Sequence, residues 1–184
     1  MPEFAPMPHE MQSERLRLRW WRLSDSAAVR ELWAERDPRS LRLIDADGHP
    51  SLSEMRDRIG AHLAESERTG LGMLAIERKS APGFIGYCGL TAGSSREAEP
   101  EIAFELFRSA QGCGYATEAA QVVVDTARET GRFRLWATVR EWNAASFSVL
   151  AKLDFADSGR RTEDLARGNT VWMFRELRET ASHP

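Results

Sequence analysis

Residues 101–128 read EIAFELFRSAQGCGYATEAAQVVVDTAR. The first six alternate: Ile102, Phe104 and Leu106 are apolar, with Glu101, Ala103 and Glu105 between them. That period of two predicts a strand with one buried face. Further on the period changes, and Ala116, Ala119, Ala120, Val123, Val124 and Ala127 recur at three- and four-residue steps, which predicts a helix. Between the two lies Gln111-Gly112-Cys113-Gly114-Tyr115-Ala116, where glycines permit a sharp turn or a close approach. A strand entering a helix through such a turn leaves main-chain N–H groups pointing outward at the helix N-terminus. Hydrogen bonds and the helix dipole together make that concavity a phosphate site.

Two familiar phosphate loops are excluded by register. A P-loop needs a lysine and a metal-binding hydroxyl after its second glycine, but Tyr115 and Ala116 follow Gly114. A dinucleotide fingerprint begun at Gly112 would need its third glycine where Thr117 stands. What remains is a loop suited to a pyrophosphate without a bound metal. Read alone, the same residues also make an ordinary strand–turn–helix join.

The loop has company. Gln111-x-x-Gly114-x-Ala116 resembles the Q/R-x-x-G-x-G/A signature of the GNAT superfamily, the acetyl-coenzyme A-dependent N-acyltransferases. Downstream, Asn143-x-x-Ser146-x-x-Val149-Leu150-x-Lys152-Leu153-x-Phe155 is similar to that superfamily's second motif. Residues 14–19, ERLRLR, resemble the first strand of the branch that includes the ribosomal-protein N-terminal acetyltransferases. The resemblance runs from about Ser13 to Leu177. It implies an α+β fold of three α/β/α layers: a mixed, largely antiparallel central sheet of about seven strands flanked by helices. Residues 13–178 would form one acetyltransferase domain, with residues 1–12 a flexible tail and residues 179–184 another.

Composition is consistent with that. A chain of 184 residues, 42% hydrophobic and 29% charged, is large enough for a real core and too apolar for disorder. A net charge of −3 gives no case for nucleic acid as the main partner. No stretch has transmembrane length, and the start, with Pro2, Glu3, Pro6 and Pro8, makes a poor signal peptide, so a cytoplasmic protein is expected. Cys88 and Cys113 are too few for a disulfide framework, and the four histidines have no metal-like spacing, so no metal site is expected.

Along the chain, residues 15–21 predict a strand whose arginines face solvent, and Ser24-Asp25 predicts the cap of a helix containing Ala28, Leu32 and Trp33. Ser53 caps a second helix that stops at Thr69-Gly70. The irregular connection between these helices corresponds in the resembling family to the wall of the acceptor site. Three strands follow, over residues 72–77, 84–90 and 101–106. Residues 133–139 read as a strand buried on both faces, residues 144–153 as a helix capped by Asn143, and residues 157–161 and 170–176 as closing strands.

Acetyl transfer from a thioester to an amine needs a held donor, an uncharged amine and relief for the leaving thiolate. For the first, the resemblance assigns Gln111, Gly112, Cys113, Gly114, Tyr115, Ala116 and Thr117 to the pyrophosphate of acetyl-coenzyme A. It also assigns Leu106 to the pantetheine arm, and Asn143, Ser146 and Lys152 to the same ligand. Cys113 reads as an incidental loop residue, since no base marks it as a nucleophile. For the second, Glu105 is the first candidate for general base and Glu101 the next, both on one face of the strand. Glu105 also reads as a carboxylate that holds an arginine or faces water. For the third, Ser146 is the candidate acid, because Leu150 stands where many members place a tyrosine. Asp154 is a second departure, at a position where glycine is usual. The expected acceptor is an amine, foremost a protein or peptide N-terminus. The alternatives are a small amine such as an antibiotic or polyamine, and a non-catalytic acyl-coenzyme A-binding module. The resemblance also makes a homodimer an open expectation.

Overall fold

The computed structural model describes residues 4–40, 42–92 and 97–177. Eight strands form one sheet: β1 (Glu10–Gln12), β2 (Leu16–Trp20), β3 (Met73–Arg78), β4 (Phe84–Thr91), β5 (Glu101–Leu106), β6 (Arg134–Arg140), β7 (Ala156–Thr162) and β8 (Thr170–Glu176). Their order is β1-β2-β3-β4-β5-β6-β8-β7. Every neighbouring pair is antiparallel except β5 and β6.

Four helices cover the two faces. On one face lies α3 (Tyr115–Glu129), whose buried Ala119, Ala120, Val123, Val124 and Ala127 keep the helical period the sequence displays. They pack on Leu18, Leu74, Ile76, Cys88 and Leu90 in one cluster, which also takes Leu150 of α4 (Ala144–Lys152). The other face carries α1 (Ser26–Ala34) and α2 (Leu52–Thr69), joined through Val29, Trp33, Met55 and Ile59. Val29, Met55 and Ile59, each buried to 1% exposure, contribute on the order of 2 kcal/mol apiece. Helix α2 is bounded at both ends: Ser51 and Glu54 close a capping box, and Gly70 takes the left-handed conformation at φ 68°.

Several expectations change. The sheet has eight strands because residues 10–12, expected in a loose tail, pair as β1 with β2. Upstream, the Met7 side chain is buried and its N–H donates to the Gly70 carbonyl at 2.8 Å, so residues 4–12 form a strap. The apolar Met7 and Met11, both buried, decide the matter. The rest of that tail, residues 1–3, and the C-terminal one, residues 179–184, lie outside the described residues. Asp25 stands at the N-cap of α1 but makes no side-chain cap bond there; its carboxylate accepts the Arg22 N–H at 2.7 Å. Instead a 3₁₀ turn (Leu23–Asp25) precedes α1, and the Asp25 carboxylate takes the buried Arg19 guanidinium in two bonds of 2.8 and 2.9 Å. Arg19 also donates to Glu77, so this arginine belongs to the interior and only its neighbours face water. Finally, β6 is buried on one face only: Leu135, Ala137 and Val139 face the core, while Trp136, Thr138 and Arg140 stand on the open side.

Candidate active site

The one parallel pair opens the sheet. Strands β5 and β6 meet in register only at Glu101 and Trp136, where the Trp136 N–H donates to the Pro100 carbonyl at 2.9 Å. Beyond that rung the two strands part. Because they run the same way, the mouth of the wedge lies at both C-terminal ends, beside the loop that enters α3 and the turn that enters α4.

Main-chain polarity at the wedge follows from one bond. The Phe107 N–H donates to the Ile85 carbonyl at 3.0 Å, so antiparallel alternation directs the main chain of Glu101, Ala103 and Glu105 towards β4. It directs that of Phe104 and Leu106 into the gap. Gln111 Nε2 takes the Leu106 carbonyl at 3.0 Å. Among the described residues no strand pairs with Phe104 or Leu106 on the gap side. An extended amide-bearing arm fits there as an added strand.

At the mouth, Gly112 and Gly114 adopt φ of 75° and 80°, which only glycine does easily. Open space lies where a Cβ of Gly112 would stand. Among the described residues, none accepts a bond from the N–H groups of residues 112–117. Gln111 differs, since its N–H is engaged by the Arg108 carbonyl at 3.2 Å and its side chain by Leu106. Gln111 therefore shapes the loop, and Gly112 to Thr117 present the donors. Diphosphate chemistry fits this run of six N–H groups at the start of a 15-residue helix.

Ser146 stands one turn into α4. Its N–H donates to Asn143 Oδ1 at 3.1 Å, so Asn143 is the cap that the sequence predicts. The Ser146 hydroxyl has no partner among the described residues. Lys152 lies exposed in the last turn of the same helix, roughly 9 Å further along its axis. It is not brought beside Ser146.

The two glutamates differ. Glu105 accepts from Arg36 Nε at 2.7 Å, from Arg36 Nη2, and from the Tyr87 hydroxyl at 2.7 Å. Burial, with Glu105 next, holds the Tyr87 phenol above its ordinary range, so it stays a neutral donor. Glu101 accepts from the Thr138 hydroxyl across the last shared rung through one oxygen, and its other oxygen has no partner among the described residues. Cys113 is exposed and free, with no base bonded to it among the described residues. His62 is half-buried: its Nε2 accepts the Met73 N–H at 3.1 Å, and burial lowers its pKa.

Sequence reasoning missed Arg36, Tyr87 and Thr138. Tyr87 sits directly opposite Glu105 in the β4–β5 register, so aligning that hairpin would have found it. Arg36 closes on Glu105 across 69 residues and left no local signal. The connection after α1 reaches the end of β6, where the Arg39 guanidinium lies 4.2 Å over the Trp142 ring.

This fold coincides with that of known proteins. A sequence profile of the acetyltransferase (GNAT) domain matches residues 15–156. The chain is 28% identical over 172 residues to an uncharacterized N-acetyltransferase, p20, of Bacillus licheniformis, covering 91% of this chain and 96% of that one. A crystal structure of an acetyltransferase from Agrobacterium tumefaciens superposes with a TM-score of 0.72 at 26% identity, over 90% of this chain and 93% of the other. The coenzyme A complex of RimL, the ribosomal L7/L12 alpha-N-protein acetyltransferase, superposes with a TM-score of 0.72 at 18% identity, over 95% and 98%. The chain belongs to the GNAT acetyltransferase family. Its donor is acetyl-coenzyme A.

Proposed function

We propose that this acetyltransferase acts on the α-amine of a peptide or protein N-terminus, by direct transfer with donor and acceptor bound together. The observation that carries the reading is how little basic capacity the acceptor side holds. Both oxygens of Glu105 are occupied by Arg36 and Tyr87, so of the two candidate carboxylates only Glu101 keeps an oxygen with no partner among the described residues to accept a proton. An α-amine with pKa near ~8 needs only ~1.4 kcal/mol to lose its proton at neutral pH, against ~4.6 kcal/mol for a lysine at ~10.4. A single carboxylate oxygen, working directly or through water, suits the first. The fold likeness to RimL and the ERLRLR opening support the same choice.

In this reading Gly112 to Thr117 bind the pyrophosphate through main-chain N–H groups, and the main chain of Phe104 and Leu106 aligns the pantetheine. The acetyl thioester is the group the donor supplies. The Ser146 hydroxyl donates to the sulfur as negative charge gathers there. Arg36 and Tyr87 hold Glu105 as a fixed wall of the acceptor side. The cytoplasm suits an enzyme with an exposed free cysteine on its donor loop.

Free-thiol release with N-terminal peptides, lysine peptides with blocked N-termini, and polyamines tests the acceptor. Turnover should favour the N-terminal peptides. A polyamine or lysine peptide turned over faster would refute the choice. With the preferred peptide, Glu101→Gln should lose most activity near pH 7 and recover towards pH ~8, where free α-amine is already abundant. Profiles that stay parallel across that range would remove Glu101 as the base.

A further inference from the structure

Glutamate is an unexpected neighbour for a diphosphate. Glu118 lies in the first turn of α3, four residues after the glycine that begins the donor loop's helix. Against the burial that would raise it, bonds from Ser13 and Arg15 hold the Glu118 carboxyl below its ordinary 4.5, so it is charged at neutral pH. A negative charge here occupies the same helix-dipole field that attracts the diphosphate, and it repels that ligand.

A single side chain offsets it. Arg15, in the turn before β2, donates Nε to Glu118 at 2.6 Å and its main-chain N–H to the same carboxylate at 2.8 Å; Ser13 Oγ adds a bond of 2.6 Å. The guanidinium then continues towards the loop. Nη1 donates to the Cys113 carbonyl at 3.1 Å, the group lies 4.7 Å over the Tyr115 ring, and Nη2 stands 3.4 Å from where a Gly114 Cβ would be. Arg15 remains about half exposed while Glu118 is mostly covered, so the side of the pair that faces the loop is the cation. Holding the Cys113 carbonyl towards Arg15 also keeps the loop's N–H groups directed outward.

We infer that Arg15 is a positioning residue for the donor's diphosphate: it cancels the charge of Glu118 and fixes the Cys113 carbonyl so that the loop receives an anion. The inference rests on the reading that residues 112–117 hold the donor. It separates two roles for the pair. A merely structural clamp would weaken binding whichever partner is lost. A counter-charge gives opposite signs.

The test is calorimetric titration of coenzyme A into the full chain and its variants, each checked for folding by thermal melting. Arg15→Met should weaken binding roughly five- to tenfold, with the loss shrinking as salt rises. Glu118→Gln should bind at least as tightly as the parent. The double variant should bind more tightly than Arg15→Met, recovering the part of the loss that comes from the uncompensated charge. Pantetheine, which has no diphosphate, should bind parent and Arg15→Met alike. Should Arg15→Met fail to fold, Glu118→Gln alone decides: tighter or equal binding supports the counter-charge, and weaker binding overturns it. Unchanged affinity in folded Arg15→Met, or an equal loss for pantetheine, also overturns the inference while leaving the donor loop in place. A parent chain that binds no coenzyme A would instead refute the donor-loop reading, and the inference with it.

Discussion

Ser146 is held by its main chain, and its hydroxyl has no partner among the described residues, a division of labour set by the Asn143 cap. If that hydroxyl relieves the departing sulfur, its bond strengthens only as charge develops. Ser146→Ala should then lower kcat by roughly tenfold or more and leave coenzyme A affinity nearly intact. Single-turnover rates and equilibrium titration separate the two quantities. Lost affinity with unchanged saturated turnover would make Ser146 a binding residue only. The residue scale is also where sequence reasoning reached least far. Glu105 looked like the better base because it adjoins Leu106. Its Arg36 partner arrives from the end of another helix, and only packing brings such pairs together.

Among elements, the join from β5 to α3 was legible almost to the residue, because a change of period from two to 3.6 and two glycines needing positive φ are local signals. Strand β1 was not, since three residues are too short for a period and its cause, Met7 and Met11 under the sheet, is tertiary. Strand β6 reads as buried on both faces because residues 133–139 are mostly apolar, whereas Trp136 stands on the open side with its Nε1 donating to Glu99 at 2.9 Å. The join itself can be tested. Gly114→Asp puts a carboxylate at the helix start and a side chain at φ 80°, a conformation aspartate tolerates better than most. Folding should survive with a loss of about 1 kcal/mol, while coenzyme A affinity should fall by at least about tenfold. Full affinity in a folded variant would place the diphosphate elsewhere.

For the whole molecule, the strap at residues 4–12 packs onto the fold from ahead of the matched domain, which begins at Arg15. Met7 is buried, Ala5 donates to the Thr130 carbonyl at 3.1 Å, and the buried Arg132 guanidinium donates to the Ala5 carbonyl at 3.0 Å. Deleting residues 1–9 should therefore cost more than the ~2 kcal/mol of the Met7 side chain alone, because Arg132 loses an acceptor in the interior. Chemical denaturation of the shortened chain measures it, and unchanged stability would show the strap to be dispensable.

The missing seam between β5 and β6 has one more effect, on how the molecule breathes. One rung at Glu101 and Trp136 ties two half-sheets, so the unpaired Phe104 and Leu106 amides should exchange hydrogen for deuterium far faster than the Glu105 amide between them. A donor lying in the gap would slow the first two and leave the third alone. The alternation of exchange rates along one strand would thus record, residue by residue, whether the enzyme is loaded.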